Sequence, residues 1–396
     1  MNIQWLDEVK DDELEQKTVF CRVDFNVPMN TDGSIADDTR IIEALPTIRK
    51  LLRCNCKVVL ASHLGRPNGK FKESLSMEKV AAYLRDLLDI ELIFVHDSAS
   101  AGVVKIIKNA NLGSLIFLEN LRFSPGEENN DIVFSKLLSR GIDVYINEAF
   151  SCSHREHASI VGITKFIDKK IGGLLLKKEV QFFDNFLYKS KKPFIAIIDG
   201  AKVSNKIGVL SQLIKKVDCL LIGGAMAYTF LKAQGYSVGA SLVEDDKLGV
   251  AKTLLNTARE LGVKVLLPVD NLVCENLANK TGVCVMPSNT ILPKQIGVDI
   301  GPKTISMFVD EISRASTIFC NGPVGIFSEA EFSNGTKAVL QAMADSTGLS
   351  VVGGGDSILA LQSLNLMDKI SFVSTGGGAS LEFLEGKELP GLKALL

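Results

Sequence analysis

Lys192-Pro-Phe-Ile-Ala-Ile-Ile-Asp-Gly-Ala-Lys-Val-Ser-Asn-Lys-Ile-Gly-Val-Leu210 decides how the chain is read. Phe194 to Ile198 is a short unbroken apolar run closed by a glycine turn, the pattern of a strand buried on both faces. From Val203 the spacing turns helical, through Val203, Ile207, Leu210, Leu213, Ile214 and Val217. The stretch predicts strand, tight turn and helix, with Lys202 in the turn and Lys206 one helical turn later on the same face. Two cations near the positive end of a helix dipole suit a polyphosphate. A solvated lysine pair on a surface helix explains the same residues, and the turn is not a G-x-x-x-x-G-K-S/T phosphate loop.

Outward from this stretch, apolar runs alternate with helical periods. Strands are predicted at Thr18–Val23, Lys57–Ala61, Leu92–Val95, Leu115–Leu118 and Val144–Asn147 on one side. On the other they fall at Cys219–Ile222, Val263–Leu267, Thr317–Cys320, Ser350–Val352 and Ser371–Val373. Helical stretches such as Thr39–Leu52 and Met77–Leu88 lie between, so the fold class is α/β with doubly wound parallel sheets. Two series of strands predict two Rossmann-like lobes. Ile171 to Tyr188, with Leu175, Val180, Phe183 and Leu187 at helical spacing, predicts a long helix joining them, hinged at Gly172 and Gly173.

Composition agrees. A chain of 396 residues, 46% hydrophobic and 23% charged, exceeds what one core usually serves. With 44 basic against 46 acidic side chains there is no global field to draw nucleic acid or a membrane. No run reaches the ~18 apolar residues of a membrane span, and Met1 to Lys17 is too polar for a signal peptide, so a cytoplasmic protein is expected. The eight cysteines are scattered, with Cys21, Cys219, Cys284 and Cys320 in apolar runs, and Cys54-x-Cys56 has neither zinc nor redox spacing. Cys152, His154 and His157 offer a metal-ligand set, but small buried thiols in a reducing compartment are the expected reading.

The two halves grip anions differently. Nine of eleven arginines precede residue 190, and 23 of 33 glycines follow it. In the first half Arg22, Asp24 and Asn26 end a strand, Arg40 opens a helix, and His63 with Arg66, Arg122, and Arg155 follow later strands. Ligands of open parallel sheets sit beyond the carboxyl ends of the strands, where such arginines clamp phosphate or carboxylate. In the second half Ile222-Gly-Gly-Ala, Val352-Gly-Gly-Gly-Asp-Ser and Ser374-Thr-Gly-Gly-Gly-Ala-Ser offer backbone amides to phosphates. Asp356 is placed for Mg²⁺ beside them. No G-x-G-x-x-G fingerprint is present, which counts against a nicotinamide enzyme; a non-catalytic two-lobed binding protein would have no use for Lys202 and Asp356 together.

Seven ordered motifs resemble those of the phosphoglycerate kinase family: Arg22-Val-Asp-Phe-Asn-Val-Pro28, His63-Leu-Gly-Arg-Pro67, Glu119-Asn-Leu-Arg-Phe123, Gly200-Ala-Lys-Val203, Asn321-Gly-Pro-Val-Gly325, Gly353-Gly-Gly-Asp356 and Ser374-Thr-Gly-Gly-Gly-Ala-Ser-Leu-Glu382. The resemblance implies transfer of the acyl phosphate of 1,3-bisphosphoglycerate to Mg-ADP, yielding 3-phosphoglycerate and ATP. It implies glycerate binding by Asp24, Asn26, Arg40, His63, Leu64, Gly65, Arg66, Arg122 and Arg155. Arg40, Lys202 and Gly376, Gly377 and Gly378 would meet the transferring phosphoryl. The nucleotide would lie on Lys206, Gly223, Gly224, Asn321, Pro323, Glu329, Gly354, Gly355, Asp356 and Ser357, with Mg²⁺ on Asp356. The tail would return to the first lobe, giving 1–171 with 386–396, a joining helix 172–189, and 190–385, in a monomer with small-molecule partners only.

Two departures stand out. Where the family commonly carries a ribose-binding glutamate directly after Asn-Gly-Pro-x-Gly-x-Phe, this chain has Ser328 and then Glu329. Ser151-Cys-Ser-His-Arg-Glu-His157 also departs from the usual small residues around its arginine.

Overall fold

The computed structural model describes residues 2–396, apart from the side chains of Leu187 and Tyr188, so the packing role read for Leu187 lies outside the described residues. The chain forms two compact units, Met1–Phe182 with Glu388–Leu396, and Phe183–Lys387. The passage between them falls within the helix Leu174–Lys189.

The first unit is built on a six-stranded sheet: β1 (Thr18–Arg22), β2 (Lys57–Ala61), β3 (Leu92–Val95), β4 (Leu115–Leu118), β5 (Val144–Asn147) and β6 (Lys169–Gly172), in the order β3-β4-β2-β1-β5-β6. Every pairing is parallel. Helices cover the sheet, so its central strands are apolar throughout rather than alternating; β4 and β5 are buried at every position. In the second unit β7 (Phe194–Ile198), β8 (Cys219–Ile222) and β9 (Lys264–Leu266) precede a small sheet of β10 (Asp270–Cys274), β11 (Cys284–Pro287) and β12 (Ile296–Ile300). Then come β13 (Thr317–Asn321), β14 (Leu349–Gly353) and β15 (Phe372–Ser374), completing a parallel sheet ordered β15-β14-β13-β7-β8-β9.

Three expectations change. Lys169–Gly172 is a strand beside β5, not the beginning of the joining helix, which starts at Leu174. Gly172 and Gly173 are there for close packing: a Cβ would lie 2.5 Å from the Trp5 ring at the first and 1.7 Å from the Glu148 carboxylate at the second. That carboxylate accepts the Leu175 and Leu176 amides at 2.9 and 3.3 Å, and Thr47 Oγ1 accepts the Leu174 amide at 3.0 Å, satisfying the first donors of the helix. Lys202 and Lys206 do not share one helical face: Val203–Asn205 is a 3₁₀ turn, and the α-helix begins only at Ile207. Finally, the antiparallel sheet β11-β10-β12 was not expected. Its β11 is mostly exposed and β12 is interrupted by Gly297 and Asp299, so neither carries a clean apolar run. Cys284 on β11 is accordingly exposed, while the other seven thiols are buried. No helix among the described residues is long and apolar enough to cross a membrane.

Candidate active site

In the first sheet β1 and β5 are neighbours whose following segments leave in opposite directions, toward β2 and toward β6. That divergence opens the crevice in which doubly wound sheets hold ligands. Asp24, just beyond β1, accepts hydrogen bonds from Arg40 Nη1 and from the hydroxyl of Ser151, just beyond β5. His63 Nδ1 stands 3.6 Å from Asp24 Oδ1. Asn26 Oδ1 accepts the Gly65 amide at 2.8 Å, and Arg122 Nη1 donates to the Gly65 carbonyl at 2.9 Å, with Leu64 buried alongside. Gly65 has φ +63°, and a Cβ there would be 2.8 Å from Leu75 Cδ2, so this turn requires glycine. Arg66 and Arg155 are exposed; Arg155 lies near enough to Arg122 to disfavour its charge.

The electrostatics are those of an anion site. Burial alone would raise the Asp24 carboxyl, but the Arg40 guanidinium, the Ser151 hydroxyl and Arg22 hold it well below the usual carboxylate range. Burial drives His63 well down; Asp24 opposes this while Arg22, Arg122 and Arg40 reinforce it, so the imidazole is neutral. Cys152, and not His154 or His157, joins Asp24 and His63, with possible ligand atoms within 4.8 Å of one another. The same three arginines around that cluster repel a metal cation.

Arg22 closes β1 as expected, but its guanidinium points inward. It is wholly buried beneath the site, donating to Ser159 Oγ at 2.7 Å and to the Val23 carbonyl, with Glu127 at 3.9 Å and His63 Nδ1 at 3.3 Å. It supports the site and cannot reach a ligand.

The second sheet repeats the topology. There β7 and β13 are the neighbours that diverge, toward β8 and toward β14. Lys206, after β7, donates through Nζ to Oδ1 of Asn321, the last residue of β13. Burial lowers the Lys206 pKa and Asp199 opposes it. Asn321 Nδ2 is buried without a hydrogen-bond partner, and Gly354 faces it: a Cβ there would be 3.3 Å away. Gly354 has φ +95° and Gly355 opens the helix ending at Ser363, with Asp356 exposed in its first turn. Ser357 Oγ accepts the Gly322 amide at 2.8 Å, tying this turn to the one carrying Pro323. A lone donor facing a glycine turn, with a lysine and an exposed carboxylate beside it, fits a Mg²⁺-bound polyphosphate.

Gly223 and Gly224 lead into the helix Gly224–Ala233, and Gly376 and Gly377 into Gly378–Leu384, where the Gly376 amide donates to Ser374 Oγ at 3.1 Å. Lys202 is exposed with extended backbone. Glu329 is paired with Lys280 at 2.8 Å. Sequence reasoning missed a mostly apolar cavity of about 360 Å³ bordered by Gly200, Ala201, Gly224, Tyr228, Val324 and Ile326, and the buried Asp199 in its wall. The available signal was a carboxylate placed directly at the end of the all-apolar β7.

The phosphoglycerate kinase family model matches residues 9–387. The chain is 48% identical over 385 residues to the phosphoglycerate kinase of Anaeromyxobacter dehalogenans (strain 2CP-C), covering 96% of this chain and 97% of the relative. It is 48% identical over 396 residues to that of Acidobacterium capsulatum, covering 98% of both. Among solved structures it resembles phosphoglycerate kinase from Coxiella burnetii, with TM-score 0.85 and 39% identity over 99% of this chain and 98% of that one. The enzyme from Pyrococcus horikoshii OT3 superposes with TM-score 0.82 at 33% identity, again over 99% and 98%. The two-lobed parallel α/β fold matches these structures, and the chain belongs to the phosphoglycerate kinase family.

Proposed function

We infer that this protein transfers the acyl phosphate of 1,3-bisphosphoglycerate to Mg-ADP, giving 3-phosphoglycerate and ATP in a reversible reaction. The observation that carries this reading is the Lys206–Asn321 pair at the divergence of β7 and β13, facing the Gly353–Gly355 turn and Asp356, in a chain whose other sheet carries an arginine site at the same topological position. In the reverse direction the nucleophile is a carboxylate, anionic at neutral pH, so no general base is needed. Catalysis reduces to positioning and to neutralising charge on the phosphoryl oxygens.

The chain supplies both. Asp24, Asn26, His63 and the Leu64–Gly65 turn orient the glycerate, while Arg66, Arg122 and Arg155 hold its non-reacting end. Arg40 and Lys202 meet the reacting carboxyl and the phosphoryl group, assisted by the amides of Gly376–Gly378. Lys206, Asn321, Gly354, Gly355 and Ser357 hold nucleotide phosphates. Mg²⁺ on Asp356 neutralises charge on those phosphates when bound. A coupled assay of ATP formation from the acyl phosphate tests the reading; a folded sample that forms none rules it out. We read it as a monomer working in the cytoplasm, and sedimentation as a single chain is the check on its state.

In-line transfer needs reacting atoms ~3–3.5 Å apart. We propose that glycerate and nucleotide together drive closure of the two units, since only differential contacts can shift such an equilibrium. Solution scattering should show greater contraction with both ligands than with either; an unchanged radius of gyration in active protein removes closure.

For the ribose the reading assigns Glu329, one place later than the family pattern. Glu329→Ala should weaken ADP by about 1 kcal/mol, one hydrogen bond. Glu331→Ala, which deprives Lys280 of its other partner at 2.7 Å, should not. Calorimetry giving equal effects for the two would assign the ribose elsewhere.

A further inference from the structure

The cavity beside Gly224 contains one polar atom whose needs the protein leaves unmet. Of its polar side chains, Tyr228 donates to Asn271 Oδ1 at 3.1 Å, and Asn271 Nδ2 donates to Ser288 Oγ at 2.7 Å. Asp299 accepts the Ile300 and Gly335 amides, each at 2.8 Å. Asp199 is the exception: its Oδ1 is buried and has no hydrogen-bond partner. Two glycines make room for this carboxyl. At Gly224, φ +60°, a Cβ would lie 1.4 Å from Oδ1, and at Gly322, φ +117°, it would lie 2.8 Å from the Asp199 Cβ. Leaving a buried carboxylate oxygen unpaired is costly, and a ligand donor placed against it removes that cost.

We propose that Asp199 selects the nucleobase: its free Oδ1 accepts a hydrogen bond from the 6-amino group of adenine seated in the cavity. The inference rests on the ADP reading above and adds a specificity-determining residue to it. Adenine fits because its 6-position carries a donor. Guanine and hypoxanthine carry an oxygen there, which meets the ionised carboxylate unfavourably, and the side-chain donors of Tyr228 and Asn271 are already engaged. Burial raises the Asp199 carboxyl to about 7, so the comparison is made at pH 8, where it is ionised. A site with a buried acceptor rejects an analogue lacking the donor more strongly than an apolar pocket does.

The test compares ADP, purine riboside 5′-diphosphate (hydrogen at position 6) and IDP (oxygen at position 6), by calorimetric Kd and by kcat/KM. Wild-type protein should favour ADP over purine riboside diphosphate by about 10-fold or more, with IDP weaker still. Asp199→Ala should bring ADP down to the level of purine riboside diphosphate. Asp199→Asn, whose amide offers a donor, should improve IDP relative to ADP. Equal binding of ADP and purine riboside diphosphate to the wild type, with no variant involved, overturns the proposal. So does an Asp199→Ala protein that keeps the wild-type ratio, or one that loses activity equally with all three, which would place Asp199 behind Lys206 as a positioning residue. Tight ADP binding without phosphoryl transfer would count against the catalytic reading and leave the base assignment standing.

Discussion

Lys202→Ala is expected to lower kcat by about 10²-fold, the loss typical when a single preorganised charge or donor is removed from a transition state. KM for ADP and 1,3-bisphosphoglycerate should change little, because the interaction is strongest while charge is moving between oxygens. The structure separates this lysine from its neighbour. Lys202 is exposed at the end of the turn that leaves β7, whereas Lys206 is half-buried and committed to Asn321. Lys206→Ala should therefore act mainly on nucleotide affinity, releasing Asn321 as well as a phosphate contact. Folding is not at stake for Lys202→Ala, since an exposed side chain outside the core costs little on removal. Steady-state kinetics on both substrates distinguish the two lysines. A Lys202→Ala enzyme with kcat near wild type would reassign the transition-state charge to Arg40 and the Gly376–Gly378 amides.

That contrast also marks where sequence reading stops. Strands such as β2 and β7 were legible to the residue because burial on both faces leaves an uninterrupted apolar run. The motif residues around Asp24 and Asn321 were legible because they close two such strands, β1 and β13. The shared face of Lys202 and Lys206 was not there to find: i and i+4 meet only within one helix, and here a 3₁₀ turn intervenes. Spacing says nothing of tertiary burial, so Arg22 and Arg40 look alike on paper although one is sealed in the core and the other is half-buried against Asp24. Asp199 was equally hidden, since the glycines that accommodate it, Gly224 and Gly322, lie 25 and 123 positions along the chain. Ser151 looked like a departure from the family pattern, and the structure makes it a direct partner of Asp24.

Arg22→Met should be the most damaging single change for stability in the first unit, by about 3–5 kcal/mol, the usual cost of removing one partner from a buried ion pair. Its target is Glu127, wholly buried, whose remaining hydrogen-bond donors once the guanidinium is gone are the Ser159 amide at 2.9 Å and hydroxyl at 2.6 Å, with the His157 imidazole, kept neutral by burial, 3.8 Å away. Ser159 in turn loses the Arg22 Nε donor, and His63 loses a neighbour that helps keep its imidazole neutral. The loss should depend on pH. Burial already raises the Glu127 carboxyl above its ordinary value, with Arg22 pulling it back. Without Arg22 the folded state holds that proton more tightly than the unfolded chain does. Stability then falls as pH rises from the unfolded pKa toward the folded one, so the penalty should be smaller at pH 5 than at pH 8. Urea unfolding of the variant at the two values measures this. Arg22→Met combined with Glu127→Gln should recover most of the loss, because the uncompensated charge is removed. A single variant within 1 kcal/mol of wild type at pH 8, or a double variant no better than the single, would mean that the arginine is held by packing of its stem and not by the Glu127 charge.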